Sequence, residues 1–398
     1  MNETWDYILV GGGLQNGLIA LAVLAQNPAA KLLVIERDGR LGGNHTWSFH
    51  LDSVPSTALG SDGCGWFADL VEHRWPTYSV RFPALDRVFS QAYATCSSER
   101  FADVVGRRIA AAPNAEVWLD TDVTDIGANE VRFLRGGAPG ILAASLVVDA
   151  RGPRDGFGGR SGFQKFVGLE VELELVDGRP PLDTEVAELM DATVVQDGGF
   201  RFIYVLPFSG TRALIEDTYF TNGDALDRDA LRQRVFDYIA ARGWRVREVV
   251  REEHGVLPMP WRQAGPIPRT APLVAGYRGG WFHPATGYSV PVALRLACFI
   301  AEKPPSAVFG PSFDALCVEQ EQQSKFAYLL NELLFSATEP EQRWKVFRHF
   351  YALPDDLVLR FFSLAMTGAD KRKMFLRKPP PGVSVLKAMR ILPGWGLR

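Results

Sequence analysis

Residues 7–36 read YILVGGGLQNGLIALAVLAQNPAAKLLVIE. Tyr7–Val10 is a short apolar run that opens into Gly11, Gly12 and Gly13. Leu14–Leu24 is rich in Ala and Leu and predicts a helix, and Leu32–Ile35 is a second apolar run ending at Glu36. Strand, glycine turn, helix, strand and acid in this order is the opening βαβ of a dinucleotide-binding domain. Glycines let the backbone close on a pyrophosphate, and the helix N-terminus offers free N–H groups and the positive end of a dipole. An acid at the end of the second strand accepts hydrogen bonds from ribose hydroxyls, so Glu36 suits an unphosphorylated ribose. The spacing departs from G-x-G-x-x-G at Asn16, and the next glycine is Gly17. A glycine turn before an ordinary core helix is the plainer alternative; the flanking strands and the placed acid argue for nucleotide.

Around this motif the composition is that of a folded protein. The 398 residues are 47% hydrophobic and 22% charged, which excludes disordered, collagen-like and coiled-coil chains. A net charge of −3 argues against a nucleic-acid binder. That charge is unevenly spread: residues 343–398 hold twelve Lys and Arg against three acids, so the body is acidic and the tail basic. A basic tail points to an anionic partner, a membrane surface among them. Cys64, Cys96, Cys298 and Cys317 have no C-x-x-C spacing, so neither zinc nor a redox pair is indicated, and scattered cysteines suit a reducing cytosol. No signal peptide and no uninterrupted run of 18 apolar residues is expected.

Leu41-Gly42-Gly43-Asn44-His45-Thr46-Trp47 follows the acid, a placement that recurs in two-domain FAD enzymes. Val117–Val123 and Val131–Leu134 predict short strands, and Leu146–Ala150 predicts a strand that exits at Arg151-Gly152, where a chain commonly returns to the cofactor. From Phe163 to Tyr219 the pattern is β-rich and broken by Gly and Pro, consistent with a second, largely antiparallel sheet that floors a substrate pocket. Leu226–Arg242 predicts a helix. The loop 279–291, with Gly287 and Tyr288, runs into a helix over about Val292–Ala301 and is a second place for flavin or anion. The remainder is helical in character.

Taken together, YILVGGGLQNGLIA (7–20), GGNHTWSFH (42–50), GFQKFVG (162–168), MDAT (190–193), LIEDT (214–218) and FHPATGYSVP (282–291), with RWKVFRHFYALPDDLVL in the tail, resemble the bacterial lycopene beta-cyclases, a branch of the two-domain FAD-binding superfamily. The Asn-Gly ending of the glycine motif belongs to that group. The resemblance implies an α/β, Rossmann-like two-domain FAD-binding fold with a second β-sheet substrate domain and a helical C-terminal region. Residues 1–160 and 265–310 would form the discontinuous FAD domain, with an inserted segment near 50–115. Residues 161–264 would form the substrate domain, and 311–398 a basic helical C-terminal region. Its Phe361, Phe362, Met366, Met374, Phe375, Leu376 and Leu386 among the cations suit a membrane-docking surface, and a basic-faced helical bundle packed on the core is the plain alternative. The resemblance implies an isomerase that closes the linear ends of lycopene into beta-ionone rings, giving gamma-carotene and then beta-carotene. It uses FAD in the reduced form, with NADH or NADPH as the electron source. Cofactor contacts are expected at Gly11, Gly13, Gly17, Glu36, Gly43, Arg151, Gly287 and Tyr288. The expected partners are lycopene and other linear carotenoids, a membrane lipid surface at the inner face of the cell membrane and neighbouring carotenoid-pathway enzymes, but no nucleic acid and no metal.

Ring closure needs a proton delivered to an alkene carbon, and alkenes are feeble bases. The donor must be a well-placed acid in a pocket that excludes water, since water would capture the cation. The resemblance favours Glu216; period-2 alternation puts Glu216 and Leu214 on one face and Asp217 and Ile215 on the other. Asp217 stays open as the donor, because side assignment depends on register, and a surface Glu-Asp turn is the plain alternative. Trp47, Phe49, Phe202, Tyr204, Phe282 and Tyr288 are candidates to stabilise the cation by their ring faces. His45 and His283 are candidates to orient flavin or to take the final proton. Two rival readings remain: a flavin-dependent hydroxylase or polyene reductase, and a carotenoid-binding protein with a vestigial nucleotide fold.

Overall fold

The computed structural model describes residues 4–60, 64–152, 160–263, 265–375 and 382–392. The first sheet is built on Trp5–Val10, which pairs in parallel with Leu32–Ile35 on one side and with Ala138–Asp149 on the other. Ala115–Trp118 extends it beyond Leu32–Ile35, and Leu273–Val274 adds in parallel to Ala138–Asp149. Glu130–Arg135 and Thr121–Ile126 continue from Ala138–Asp149 as an antiparallel flap. The expected strand 117–123 is therefore two strands, broken at Asp120, whose φ is +49°.

Leu14–Gln26 covers this sheet, packed between Val290–Ala301 and Ser98–Ala110. Two glycines make the turn and the packing possible. Gly11 has φ +98°, and a Cβ there would lie 2.7 Å from the Ala150 carbonyl oxygen. At Gly17 a Cβ would lie 2.1 Å from Cζ of Phe101, so this glycine seats one helix against the next. Asn16 explains the departure from the usual glycine spacing. Its buried amide donates to the carbonyls of Val10 and Gly11, both at 2.9 Å, and ties the turn from inside.

The second sheet runs Val246–Pro260, Ser161–Leu173, Arg212–Thr221, Phe200–Pro207, Val186–Asp191, Thr77–Phe82, Leu85–Phe89. Its last two strands come from the segment near 50–115, so that segment contributes to both halves of the molecule. The helix Arg228–Ala241, capped by Asp227, covers one face of this sheet through Leu231, Val235, Tyr238 and Ile239. The other face looks into a cavity and toward the C-terminal helices, where Phe200, Phe202, Phe220, Phe350 and Tyr351 form a separate cluster.

That helical region is not simply a charged surface. Arg343 is 0% exposed and donates to the carbonyls of Leu334 (3.2 Å), Phe335 (3.3 Å) and Phe220 (3.0 Å). A buried guanidinium thus closes the end of the 26-residue helix Pro311–Ser336, whose last carbonyls lack helical partners. Arg360 is paired with Asp370 through two contacts of 2.8 Å. Part of the basic excess read from the sequence is spent on internal ties.

Replacing Gly17 by Ala should destabilise the protein by about 1–3 kcal/mol through overpacking against Phe101. The combined Gly17→Ala, Phe101→Leu chain should be more stable than the sum of the two single losses predicts. Urea unfolding of the four chains measures this; additive losses would count against the contact.

Candidate active site

A single cavity of about 1410 Å³ joins the two sheets. Ordinary ligand pockets hold roughly 300–1,000 Å³, so there is room for more than one occupant. Its polar end is made by Gly11, Gly13, Glu36, Gly43, Arg151, Gly287 and Tyr288. Gly13 caps the helix Leu14–Gln26, and nothing lies within 4 Å of where its Cβ would be. The second helix, Val290–Ala301, presents its N-terminal turn to the same space through Val290 and Ala293. Two helix N-termini facing one cavity make a place for anionic groups.

Glu36 sits at the end of its strand as expected, accepting from the amide of Gly12 (2.5 Å) and of Asp38 (2.9 Å). Arg151 is held by Asp149 at 2.9 and 3.0 Å, and Arg278 joins from the other side at 2.8 Å. Burial pushes the Asp149 carboxyl up, but the two guanidiniums outweigh it and hold the group below its usual range. Gln15 also lines the cavity; its amide donates to the Ala293 carbonyl, while Oε1 has no partner among the described residues. A glycine turn with open space at Gly13, an acid at the end of the second strand on the cavity wall and an amide oxygen with no partner among the described residues fit a flavin dinucleotide.

The other end is apolar. Leu189, Met190, Phe202, Leu214, Phe220, Leu334, Phe347 and Phe350 line it, with Glu216 among them. Glu216 and Leu214 face this cavity, while Ile215 joins the cluster on the opposite face of the sheet. The register places Glu216 beside Tyr204 on one side and Gly168 on the other. Tyr204 in turn shares a 2.7 Å hydrogen bond with Tyr93. Burial raises the Glu216 carboxyl far above the usual range, and the charge of nearby Glu253 adds to this; the hydroxyl of Thr218, donating at 2.6 Å, pulls the other way. Glu216 is therefore an acid that keeps its proton near neutrality.

Several expected site residues lie elsewhere. Gly17 packs on Phe101 and does not line the cavity. Asp217 is 0% exposed on the far face, bound to Arg201 by contacts of 2.9, 3.1 and 2.9 Å. Burial pushes its carboxyl up to about 6, against the pull of Arg201, so it is ionised at neutral pH and serves as an internal counter-ion. His283 has both ring nitrogens engaged with backbone, Nε2 with the Phe361 carbonyl oxygen (2.8 Å) and Nδ1 with the Ala285 amide (3.2 Å). It is buried, held neutral by desolvation with its pKa lowered to about 4, and ties the 282–291 loop to a C-terminal helix. Phe49 packs on Phe67 and Phe282 stacks on Tyr277, both away from the cavity lining. Trp47, Phe202, Tyr204, Tyr288 and His45 do line it.

Two residues went unread in the sequence. His50 lies within the cavity wall, ringed by Tyr78, Tyr93 and Phe362, and its Nδ1 has no partner among the described residues. Glu253 lines the cavity from the strand Val246–Pro260. That strand's mixture of Arg and Glu hid it; only its period-2 spacing from Arg251 would have placed Glu253 on an inward face.

Solved structures share this architecture. The chain matches a geranylgeranyl bacteriochlorophyll reductase-like protein from Thermoplasma acidophilum with TM-score 0.60 and 12% identity, over 99% of both chains. It matches p-nitrophenol 4-monooxygenase from Pseudomonas putida with TM-score 0.60 and 16% identity, over 92% of this chain and 99% of the other. These likenesses define the fold class: a Rossmann-like α/β architecture shared with that reductase-like protein and that monooxygenase. Sequence goes further. The chain belongs to the lycopene cyclase family, whose model, described as lycopene cyclase protein, matches residues 6–388. It is 38% identical over 396 residues to the lycopene beta-cyclase of Pantoea ananas, covering 98% of this chain and 99% of that one. It is 39% identical over 385 residues to the lycopene beta-cyclase of Pseudescherichia vulneris, covering 94% of each.

If Asp217 is a counter-ion, Asp217→Asn should leave the Arg201 guanidinium buried and unpaired, at a cost of about 3–5 kcal/mol. Glu216→Gln should change stability far less. Thermal melting of both variants checks this; equal losses would overturn the assignment of the two acids to different tasks.

Proposed function

We propose that this chain is a lycopene beta-cyclase that performs acid-catalysed, non-redox cyclisation on a reduced flavoprotein. The observation that carries the reading is Glu216, a carboxyl with no cationic partner among the described residues, set in the apolar half of a cavity whose polar half fits FAD. Near-full-length identity to curated lycopene beta-cyclases supports the substrate.

Gly11, Gly13 and Glu36 would hold the adenosine and pyrophosphate side of the cofactor. Gly43, Arg151, Gly287 and Tyr288 would hold the rest. Bound in reduced form, FAD would supply an electron-rich ring whose charge offsets a cation nearby. NADH or NADPH would keep it reduced. Glu216 gives its proton to the terminal alkene carbon of lycopene; the neighbouring double bond attacks the tertiary cation and closes the ring. Loss of a ring proton from the carbon next to the cation restores the double bond, and that proton makes good, overall, the one Glu216 gave up, so product and substrate have equal mass. Phe202, Tyr204, Trp47 and Tyr288 present aromatic faces to the cavity, where they stabilise positive charge. The wall of Leu189, Leu214, Phe220 and Phe347 keeps water from capturing it.

Such a substrate dissolves in lipid, and among the described residues no helix is long and apolar enough to cross a membrane. Docking on the bilayer is therefore part of the reading. Phe375, Val385, Leu386 and Met389 are exposed, and three of them, Phe375, Val385 and Met389, also line the cavity. Lys371, Arg372, Lys373, Lys387 and Arg390 lie among them in sequence. Apolar side chains at a cavity mouth among cations suit an anionic lipid surface at the inner face of the cell membrane. There the chain would receive linear carotenoids from neighbouring enzymes of the same pathway. Of the other tail residues expected at the lipid, Met366 is buried, Phe361, Phe362 and Met374 pack inward, and Leu376 lies outside the described residues.

Anaerobic assay on lycopene in liposomes with reduced FAD tests the chemistry. Glu216→Gln should lose at least about 100-fold in cyclisation while keeping flavin and stability. Full activity in that variant, or net consumption of NAD(P)H per product, would reject the reading. For docking, Leu386→Asp with Met389→Asp should release the chain from anionic liposomes in flotation and leave its melting temperature unchanged. Undiminished flotation would place the lipid contact elsewhere.

A further inference from the structure

The cavity holds a second buried carboxyl whose place relative to Glu216 is fixed by the sheet itself. Gly168, in the strand Ser161–Leu173, is in register with Glu216 on one side and with Glu253 on the other. Residues directly opposite one another in a sheet project from the same face. The two carboxyls therefore flank a residue that has no side chain. A Cβ on Gly168 would lie 3.2 Å from Cγ of Glu253 and 3.4 Å from Oε2 of Glu216, so the gap between the acids is only as wide as this glycine leaves it.

Their surroundings differ. Glu253 is 5% exposed and takes a 2.9 Å contact from the Arg251 guanidinium and a 2.8 Å hydrogen bond from the Thr46 hydroxyl. Arg251 also donates to Thr46 and to Glu170, so its guanidinium is locked in place. Glu216 takes a hydrogen bond from Thr218 and, among the described residues, no ion pair. The other ionisable groups about Glu216 are the phenols of Tyr93 and Tyr204 and, behind the sheet, the Asp217–Arg201 pair. When two carboxyls share a low-dielectric site, one ionises and the other holds the proton. Burial raises the Glu253 carboxyl as well, against the pull of Arg251 and Thr46. Each acid accepts from one threonine hydroxyl, so the Arg251 guanidinium, 2.9 Å from Glu253, makes Glu253 the one that ionises first.

We propose that Glu253 is a positioning residue for the cyclisation: its charge, held by Arg251 and Thr46 across the gap left by Gly168, assigns the transferable proton to Glu216 and keeps it there until the alkene arrives. This rests on Glu216 as proton donor and adds the group that keeps the donor loaded. It also gives Thr46 and Arg251 a task. They keep a negative charge beside the acid, and their contacts with Asn44 and Glu253 join the 42–50 segment to the second sheet.

The test is Glu253→Gln, which removes the charge and keeps the shape. Taking a negative charge from beside Glu216 makes its ionisation easier, so its titration midpoint should fall by about one unit or more. This midpoint is read without substrate, from the protonated-carboxyl stretch in infrared difference spectra, assigned by its loss in Glu216→Gln. On lycopene liposomes the alkaline limb of the rate profile should move to lower pH by the same amount. At a pH on that limb the rate should drop about tenfold per unit. Glu253→Asp, which keeps the charge, should return both towards the native chain. A purely structural tie between Glu253 and Thr46 would lower the melting temperature and leave both midpoints where they were, and that result overturns the proposal. A native chain that forms no rings from lycopene overturns the cyclase reading instead, and the substrate-free infrared midpoint still reports on the carboxyl pair.

Discussion

The site depends on the cost of ionising a carboxyl where nothing compensates the charge. Glu216 stands in an apolar wall, takes one hydroxyl hydrogen bond, and among the described residues has a second carboxyl, Glu253, and no cation beside it. Moving a lone carboxylate from water into such surroundings is so unfavourable that the group stays protonated. The rest of the second sheet preserves that condition. Asp217, one residue along, is turned to the other face and neutralised by Arg201. Glu253 has its own cation in Arg251. Glu170, in the neighbouring strand, shares Arg251 and is also paired with Arg212. Of these four carboxyls Glu216 is, among the described residues, the one without a positive partner.

Much of the nucleotide half was legible because its signals are local. Strand, turn, helix and acid fall within thirty residues, and the structure places Tyr7–Val10, Leu14–Leu24 and Leu32–Ile35 in elements of the expected type. Alternation separated Glu216 from Asp217 because both lie in one regular strand, Arg212–Thr221, with no bulge between them. Residue type misled where it stood in for geometry. Gly17 looked like a ligand-facing glycine, but its missing side chain makes room for Phe101. His283 looked like chemistry, yet backbone groups occupy both of its nitrogens.

What the sequence hid is non-local. Thr77–Phe89 joins a sheet whose next strand lies about a hundred residues further on, and no local pattern records that pairing. The strand Val246–Pro260 carries charges on successive positions and gives no apolar alternation, so Glu253 had no signal beyond its spacing. From charge and composition the C-terminal helices fit either a docking surface or a bundle packed on the core. Their aromatic side chains roof the cavity: Phe347, Phe350, Tyr351, Phe361 and Phe362 line it more than a hundred residues from the strand that bears Glu216. The roof is anchored by carbonyl oxygens gathered around the buried Arg343, a tie with no sequence motif.

The cavity has a direction as well as a volume: its glycine turn lies at one end and its greasy roof at the other, with Glu216 on the greasy side. Lycopene is the same at both tips. A chain with one loaded acid can act on one tip per visit. On the proposed reading, a polyene ringed twice would back out half-finished, turn end for end and thread in again. The ratio of single-ringed to double-ringed pigment would then be governed at the doorway and not at the carboxyl.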